Sequence, residues 1–142
     1  MVQVSINEYI MELDGQKPVL KGVKCKDCGN HVFPVQNGCP KCAGADMEPV
    51  SLGNRGTLWA WTIQGFPPKA PPYLGETDPS KFKPYGVGYV ELPGEVKVEA
   101  RLTESDPAML KTGMEMELVL DPLTIDEDGN EVVTFAFSPI NN

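Results

Sequence analysis

The sequence predicts a mainly β chain in which a small metal-binding module precedes an antiparallel barrel. Two observations lead to this fold class. Four cysteines form two CxxC pairs, and apolar and polar residues alternate along five successive runs from Gly56 onward. The chain has 142 residues, enough for about one domain with an additional module. We expect an N-terminal helical segment over residues 1–18, the metal module over 19–50 and the barrel over 51–142.

The segment near the N-terminus carries a helix pattern. Residues 5–8 read Ser-Ile-Asn-Glu, which matches a capping box in which the Ser side chain accepts from the backbone and the Glu side chain reaches back. Gly15 suits a helix end. Four apolar residues lie between at helical spacing, namely Ile6, Tyr9, Ile10 and Leu13. The pattern predicts a short amphipathic helix over residues 6–14, whose apolar face packs on its own chain or on a partner.

The two cysteine pairs are Cys25-x2-Cys28 and Cys39-x2-Cys42, with ten residues between them. This spacing lets two tight turns present four thiolates to one zinc ion at about 2.3 Å. Four thiolates leave no open coordination position, so the predicted ion is structural rather than catalytic. His31 is close in the sequence. Because the ligand set is already complete, we expect it at the surface or beside the site.

Three other chemistries compete with zinc for these cysteines. A redox CxxC usually stands alone on a βαβ unit, whereas this chain has two pairs. Two disulfides would suit an exported chain, but the N-terminus lacks the basic and apolar regions of a signal peptide. We therefore expect a cytoplasmic chain with reduced thiols. Iron at a rubredoxin-like site is chemically compatible with the same four ligands.

The second part of the chain predicts five half-buried strands, over residues 57–64, 85–92, 95–103, 114–121 and 133–137. A helical turn within residues 106–111 and a tight turn at Asp128-Gly129 separate the later strands. Five strands with a short helix between the third and fourth match a Greek-key barrel of the OB type.

The alternation also predicts which side chains face the core. In the first strand we expect Trp59, Trp61 and Ile63 on one face. The third strand has a predicted inward set (Val96, Val98, Ala100, Leu102) and a predicted outward set (Glu95, Lys97, Glu99, Arg101).

A loop over residues 64–84 interrupts the barrel. It is 21 residues long and holds six of the chain's 14 prolines. Its other notable residues are the aromatic Phe66, Tyr73 and Phe82, with Tyr85 just beyond, and the basic Lys69, Lys81 and Lys83. A loop of this length in a compact domain is usually functional or disordered. We expect it to contact a partner or ligand, or to fold against its own barrel.

The charge and the residue composition limit the classes of function that the chain can have. The net charge is −8, and residues 51–142 hold 7 Lys or Arg against 14 Asp or Glu, which would repel a nucleic-acid backbone. No apolar run approaches the roughly 20 residues of a membrane span. All four cysteines are assigned to metal and His31 is the only histidine. We therefore predict no catalytic residue in this chain.

Several segments resemble a known family of zinc-ribbon and OB-fold proteins associated with acyl-CoA enzymes, long described as a domain of unknown function. CKDCGNHVFP and CPKC resemble its ribbon, and GNRGTLWAWTIQ resembles its ribbon-to-barrel junction. PYGVGYVELPGEVKVEARL and LKTGMEMELVL resemble its middle strands. The chain departs from the family after Phe33-Pro34, where Val35-Gln36-Asn37 replace the frequent second proline and basic residue.

The resemblance implies an accessory role. Family members form hetero-oligomers with thiolase-fold enzymes or with hydratases that act on CoA thioesters, and the partner carries the catalytic Cys and His. It would place this chain on a thiolase dimer, near its substrate entrance. The insert resembles that of the small subunits of benzoylsuccinyl-CoA thiolases of anaerobic toluene degradation.

Within that role, the resemblance leads us to expect a CoA-thioester site at Phe66, Lys69, Tyr73, Lys81, Phe82, Lys83 and Tyr85. A second candidate cluster is Lys17, Lys21, Lys24 and Lys26. Either set of lysines is equally compatible with solvated surface.

Three rival functions follow from the same residues. A nucleic-acid module could stack bases on Trp59 and Trp61, against the charge balance. A scaffolding or regulatory module would have a loop that binds protein without touching CoA. A stand-alone enzyme would need a catalytic set that the chain lacks.

Overall fold

A computed structural model of the chain describes residues 2–70, 73 and 75–140. This part is almost entirely β structure. Its strands are β1 (Gln3–Ser5), β2 (Met11–Asp14), β3 (Lys17–Cys25), β4 (His31–Val32), β5 (Met47–Ser51), β6 (Arg55–Gln64), β7 (Tyr85–Glu91), β8 (Lys97–Leu102), β9 (Glu115–Ile125) and β10 (Glu131–Pro139). One 3-10 helix, Pro107–Met109, lies between β8 and β9.

Strands β6 to β10 close into a five-stranded barrel. Antiparallel pairs join β6 to β7, β7 to β8, β9 to β10 and β6 to β9, and a parallel pair at Phe137 and Leu102 joins β10 to β8. The predicted barrel is therefore confirmed, as are the helical turn before β9 and the turn before β10. That last turn contains Gly129, with φ +81°.

Inward residues of the barrel strands form the core, as the alternation predicted. Val98, Ala100 and Leu102 of β8 are buried, as are Met116, Leu118, Val133 and Phe137 of β9 and β10. Fully burying a Val, Leu, Met or Phe side chain contributes about 1.5–3 kcal/mol relative to leaving it in water. The outward residues of β7 and β8 remain available for a ligand-binding face.

The predicted helix over residues 6–14 was wrong. Asn7 Oδ1 accepts a hydrogen bond from the Tyr9 amide at 2.9 Å, and this local turn competes with helix formation. Residues Met11–Asp14 instead form β2, which pairs antiparallel with β3. Gly15, with φ +65°, begins the two-residue hairpin connection rather than ending a helix.

A bulge in β6 separates the two tryptophans. Leu58 pairs with Val90 and Ala60 pairs with Tyr89, so Trp59 is an extra residue without a partner of its own. Trp59 is 52% exposed, whereas Trp61 packs against the core together with Ile63. The prediction that Trp59, Trp61 and Ile63 share one face was therefore wrong, because the bulge shifts the alternation by one residue.

The ribbon strands and the barrel share one hydrophobic core. Met11 and Leu20 belong to the same buried cluster as Leu58 and Val90 of the barrel. The Leu52 amide donates a hydrogen bond to the Leu20 carbonyl at 2.9 Å, which holds the start of the barrel against β3. Strand β1 pairs in parallel with β10. No helix in the described residues has the length and apolar content needed to cross a membrane.

Candidate metal centre and aromatic cleft

The four cysteine side chains converge at one end of the ribbon. Their sulfur atoms lie within 4.8 Å of one another. The Cys25 and Cys42 sulfurs are 3.6 Å apart, as are those of Cys28 and Cys39. A tetrahedral zinc site with Zn–S bonds of about 2.3 Å requires sulfur–sulfur distances of about 3.8 Å. The four thiols therefore fit a tetrahedral metal ion.

Two matching turns present these sulfurs. The Gly29 amide donates to the Cys25 carbonyl at 2.8 Å, and the Ala43 amide donates to the Cys39 carbonyl at the same distance. Both turns place their fifth residue at positive φ, 79° at Gly29 and 64° at Ala43. The equal spacing of the two CxxC pairs thus produces two equivalent local structures.

Polar groups around the cluster favour thiolates. The Gly44 amide approaches the Cys42 sulfur at 3.4 Å, and the Asn30 side-chain amide approaches the Cys39 sulfur at 3.8 Å. A hydrogen bond from the Cys42 backbone lowers the pKa of the Cys39 thiol to about 6. The Gly44 amide also lowers the pKa of Cys42, but the neighbouring thiols outweigh it and raise that pKa to about 12. Thiol ligands bind a metal as thiolates, and the positive charge of the ion would offset the repulsion between sulfurs this close together.

His31 lies outside this cluster. It is half-buried on β4, opposite Lys24 of β3, and the four-cysteine ligand group in the described residues does not include it.

A cleft of about 740 Å³ lies where the ribbon, the 64–84 loop and the barrel meet. Aromatic side chains from all three parts line it, namely Phe33, Tyr73, Tyr85, Tyr89 and Phe135. Phe33 of the ribbon packs edge-on against Phe135 of β10, with ring centroids 6.0 Å apart. Of the predicted CoA-site residues, the structure places Tyr73 and Tyr85 in this cleft.

Charged residues of the barrel complete the cleft wall. Arg101 Nε lies 3.7 Å from Asp121 Oδ2, and the Arg101 guanidinium stacks 4.5 Å from the centre of the Tyr85 ring. Burial raises the pKa of the Asp121 carboxyl, and the Arg101 charge opposes this increase only in part. Burial likewise raises the pKa of the Tyr85 phenol. Lys97 and Glu99 also line the cleft.

The remaining predicted loop residues are dispersed. Phe82 is half-buried and packs edge-on against Tyr85, with centroids 5.9 Å apart. Phe66 is 71% exposed and does not line the cleft. Lys83 lines a smaller cavity of about 350 Å³ that also contacts Tyr85 and Arg101. The last two, Lys69 and Lys81, are exposed and line neither cavity.

The second lysine cluster is partly neutralised. Lys21 pairs with Glu12 at 2.9 Å, and Lys26 lies 3.9 Å from Asp46. Lys17 and Lys24 are exposed.

The sequence prediction missed Phe33, Phe135 and Arg101 as parts of the cleft. A signal for it was present in β7, where Tyr85, Val87 and Tyr89 all face outward although a solvated strand face is usually polar. In the barrel, Val87 pairs with Arg101, which brings this apolar face beside the guanidinium.

The fold and the cysteine cluster define a class of protein in which a zinc ribbon precedes an OB-fold barrel. Residues 14–48 match the rubredoxin-like zinc ribbon domain of ChsH2, and residues 49–121 match the C-terminal OB-fold domain of ChsH2. The chain belongs to the ChsH2 family of zinc-ribbon and OB-fold proteins, as its sequence resemblance predicted.

Named relatives cover most of the chain. The benzoylsuccinyl-CoA thiolase subunit BbsA of Thauera aromatica is 32% identical over 89% of this chain and 81% of its own. A DUF35 domain-containing scaffold protein of Pyrococcus furiosus is 33% identical over 88% of this chain and 86% of its own. Among solved structures, a chain of the Ltp2-ChsH2(DUF35) aldolase superposes with a TM-score of 0.59 at 25% identity, covering 85% of this chain and 84% of that one.

Proposed function

We propose that this chain is a non-catalytic accessory subunit of a thiolase-type complex that acts on CoA thioesters. The observation that carries the proposal is its similarity, over 89% of its length, to a protein named as a thiolase subunit. The four cysteines converge on one cluster, and the single histidine lies on the ribbon. The catalytic Cys and His would then belong to a thiolase-fold partner, with this chain bound around the partner's dimer in the cytoplasm.

The metal has a structural role in this proposal. Cys25, Cys28, Cys39 and Cys42 would hold one zinc ion, whose binding is worth on the order of 10–16 kcal/mol in comparable small sites. The ion would keep the ribbon folded, and thereby keep Phe33 in place at the cleft. It would take no part in the reaction, since four thiolates complete its coordination.

The cleft is the proposed contact with the CoA thioester. Its volume of about 740 Å³ falls within the ~300–1,000 Å³ of typical small-molecule sites. Tyr73 and Tyr85, supported by Phe82, would form an apolar wall for the acyl or pantetheine part. An aromatic acyl group, as in 2-benzoylsuccinyl-CoA of anaerobic toluene degradation, would match such a wall.

The loop lysines would supply charge for the CoA phosphates. Lys69, Lys81 and Lys83 are exposed, and none of them pairs with an acid in the part of the chain that the structure describes. Their ammonium groups are therefore available to phosphate oxygens. Phe66 stands exposed on the same loop and would contact the partner or the ligand once the complex forms.

The test is affinity capture of this chain from its native host, mass-spectrometric identification of what accompanies it, and a thiolysis assay of the eluate. A co-purifying thiolase-fold subunit that is active only with this chain present is the expected result. A chain recovered alone, or with nucleic acid, would contradict the proposal. The Cys28→Ser variant provides a matched control, because loss of the ribbon should abolish both capture and activity.

A second candidate is a scaffold that makes no contact with CoA. It is favoured by the Pyrococcus furiosus relative, which is named a scaffold protein. The two candidates differ in one measurement on the captured complex, its affinity for a CoA thioester at low salt. Replacing Lys69, Lys81 and Lys83 by Gln should weaken that affinity if the loop binds CoA, and should leave it unchanged if the chain is only a scaffold.

A further inference from the structure

Arg101 lines the cleft between Tyr85 and Asp121, and its side chain donates no hydrogen bond to an acceptor in the described part of the chain. The guanidinium carbon lies over the Tyr85 ring, 4.5 Å from its centre, which is within the range of a cation–π contact. Asp121 attracts its Nε side from 3.7 Å, which is too long for a hydrogen bond. Accordingly, no described residue donates a hydrogen bond to the buried Oδ2 atom of Asp121. The fork formed by the two Nη atoms is left for another acceptor.

The surroundings of Arg101 suit an oxyanion from a ligand. Its side chain is 42% exposed, so a ligand can approach Arg101 from solvent. It borders the main cleft, which Lys97 and Glu99 also line, and the smaller cavity, where Lys83 adds a second cation beside the Asp121 carboxyl. A guanidinium fork matches two oxygens of a carboxylate or phosphate, and such charge-assisted bonds are stronger where water is partly excluded.

We propose that Arg101 is the oxyanion-binding residue of the cleft, and that Asp121 is the residue that positions it. The inference rests on the proposed function for the identity of the ligand. In a CoA thioester the oxyanion is either a free carboxylate on the acyl group or a phosphate of the nucleotide. Both present paired oxygens to the fork. If the carboxylate is the source, the substrates are half-thioesters of dicarboxylic acids.

The small number of arginines makes a direct test possible. Arg55 and Arg101 are the only two, so a proton–nitrogen NMR spectrum of the zinc-loaded chain contains two arginine Nε–H signals. The Arg101→Lys variant identifies the Arg101 signal. Arg55, which is exposed on β6 at a register position opposite Glu117, is the internal control.

Three probes separate the two sources. Valeryl-CoA carries phosphates only, glutaryl-pantetheine carries a carboxylate only, and valeryl-pantetheine carries neither. We expect a saturable change in the chemical shift of the Arg101 signal with the first or second probe and no change with the third. The chemical shift of Arg55 should not change with any probe. Movement with valeryl-CoA assigns the phosphate, and movement with glutaryl-pantetheine assigns the carboxylate. No movement at all, equal movement of both arginines, or equal movement with valeryl-pantetheine would overturn the inference.

Variants test the two roles separately. Arg101→Gln should lower the affinity for the probe that responds by about ten- to a hundred-fold, the range expected for loss of a charged hydrogen-bond partner. Arg55→Gln should leave that affinity unchanged. Asp121→Asn should shift the Arg101 signal before any probe is added and weaken binding by a smaller factor. A purely structural role for Asp121 would leave that signal in place.

These titrations use the chain alone, so they test the oxyanion site separately from the proposed function. If the Arg101 signal responds to a probe but no thiolase-fold partner is captured, the oxyanion site is supported and the proposed complex is contradicted. If an active complex is captured but the Arg101 signal does not respond to any probe, the proposed complex is supported and the oxyanion site is contradicted.

Discussion

Phe33 of the ribbon and Phe135 of the barrel pack edge-on, with ring centroids 6.0 Å apart and planes at 76°. Phe135 packs in the same manner on Phe137, which is fully buried in the barrel. This row of three rings connects the metal-binding module to the barrel core. Phe33 and Phe135 also line the cleft, so the stability of the ribbon and the shape of the cleft depend on the same contact.

Replacing Phe33 by Ala should lower the free energy of unfolding by about 2 kcal/mol, since a half-buried ring and an aromatic pair are lost. The measurement is urea denaturation of the zinc-loaded chain. Phe66→Ala is the matched control, because Phe66 is 71% exposed and its loss should change stability by no more than about 0.5 kcal/mol. Equal effects of the two substitutions would mean that the Phe33–Phe135 contact does not stabilise the fold.

Metal analysis should find one zinc ion per chain, and Cys28→Ser should lose it. Removing one of four thiolates leaves an incomplete tetrahedron, so the ribbon should unfold and the thermal midpoint should fall. His31→Ala is the control and should keep its metal, because His31 lies outside the four-thiol cluster. Iron in the protein as isolated, or zinc loss from His31→Ala, would contradict this assignment.

Asp121→Asn should stabilise the chain at neutral pH. Burial raises the folded-state pKa of Asp121 above its unfolded value, so the ionised carboxylate opposes folding above that pKa. As the pH falls through the raised pKa, the carboxyl of the folded parent chain takes up a proton. The destabilisation by the buried charge therefore decreases, and it vanishes below the unfolded-state pKa. The gain in thermal midpoint should thus be largest near pH 7 and shrink towards acid, reduced somewhat by the lost attraction of Arg101.

The control for this pH series is Asp128→Asn, which removes an exposed charge from the loop before β10. If the difference in thermal midpoint between Asp121→Asn and the parent chain increased as the pH fell, its sign would contradict the desolvation argument.

Trp61→Ala should cost about 2 kcal/mol or more, because Trp61 packs on the core. Trp59→Ala should cost about 1 kcal/mol or less, because it loses only the exposed contacts with Tyr89 and with the Lys97 ammonium, 4.1 Å from its ring centre. Denaturant unfolding of both variants tests the bulge in β6. Equal costs would indicate that the two rings share one face after all.

The regular barrel strands and the cluster of four cysteines could be predicted because their signals are local. Alternation such as Val98, Ala100 and Leu102 records burial of one strand face directly, and the CxxC spacing places two thiols on one ion whatever lies around them. The bulge at Trp59 could not be predicted, because an extra residue in one strand is defined only by the pairing of its partner strand.

The N-terminal error has the same cause. Ile6, Tyr9, Ile10 and Leu13 fit a helix, but Met11 and Leu13 also fit a strand, and the sequence contains both periods. Pairing with β3 decided between them, because burial of Met11 against the barrel core outweighs the weak preference of a short isolated helix.

Local patterns in the sequence were sufficient to predict the four-thiol cluster, the barrel strands and the acidic charge that disfavours nucleic acid. The residues that form the cleft are defined only by long-range contacts in the folded chain. Phe33, Arg101 and Phe135 are far apart along the chain, and each reads as an ordinary ribbon or strand residue. They meet because barrel closure pairs β8 with β10 and the shared core holds the ribbon against both, and no local pattern encodes contacts at that separation.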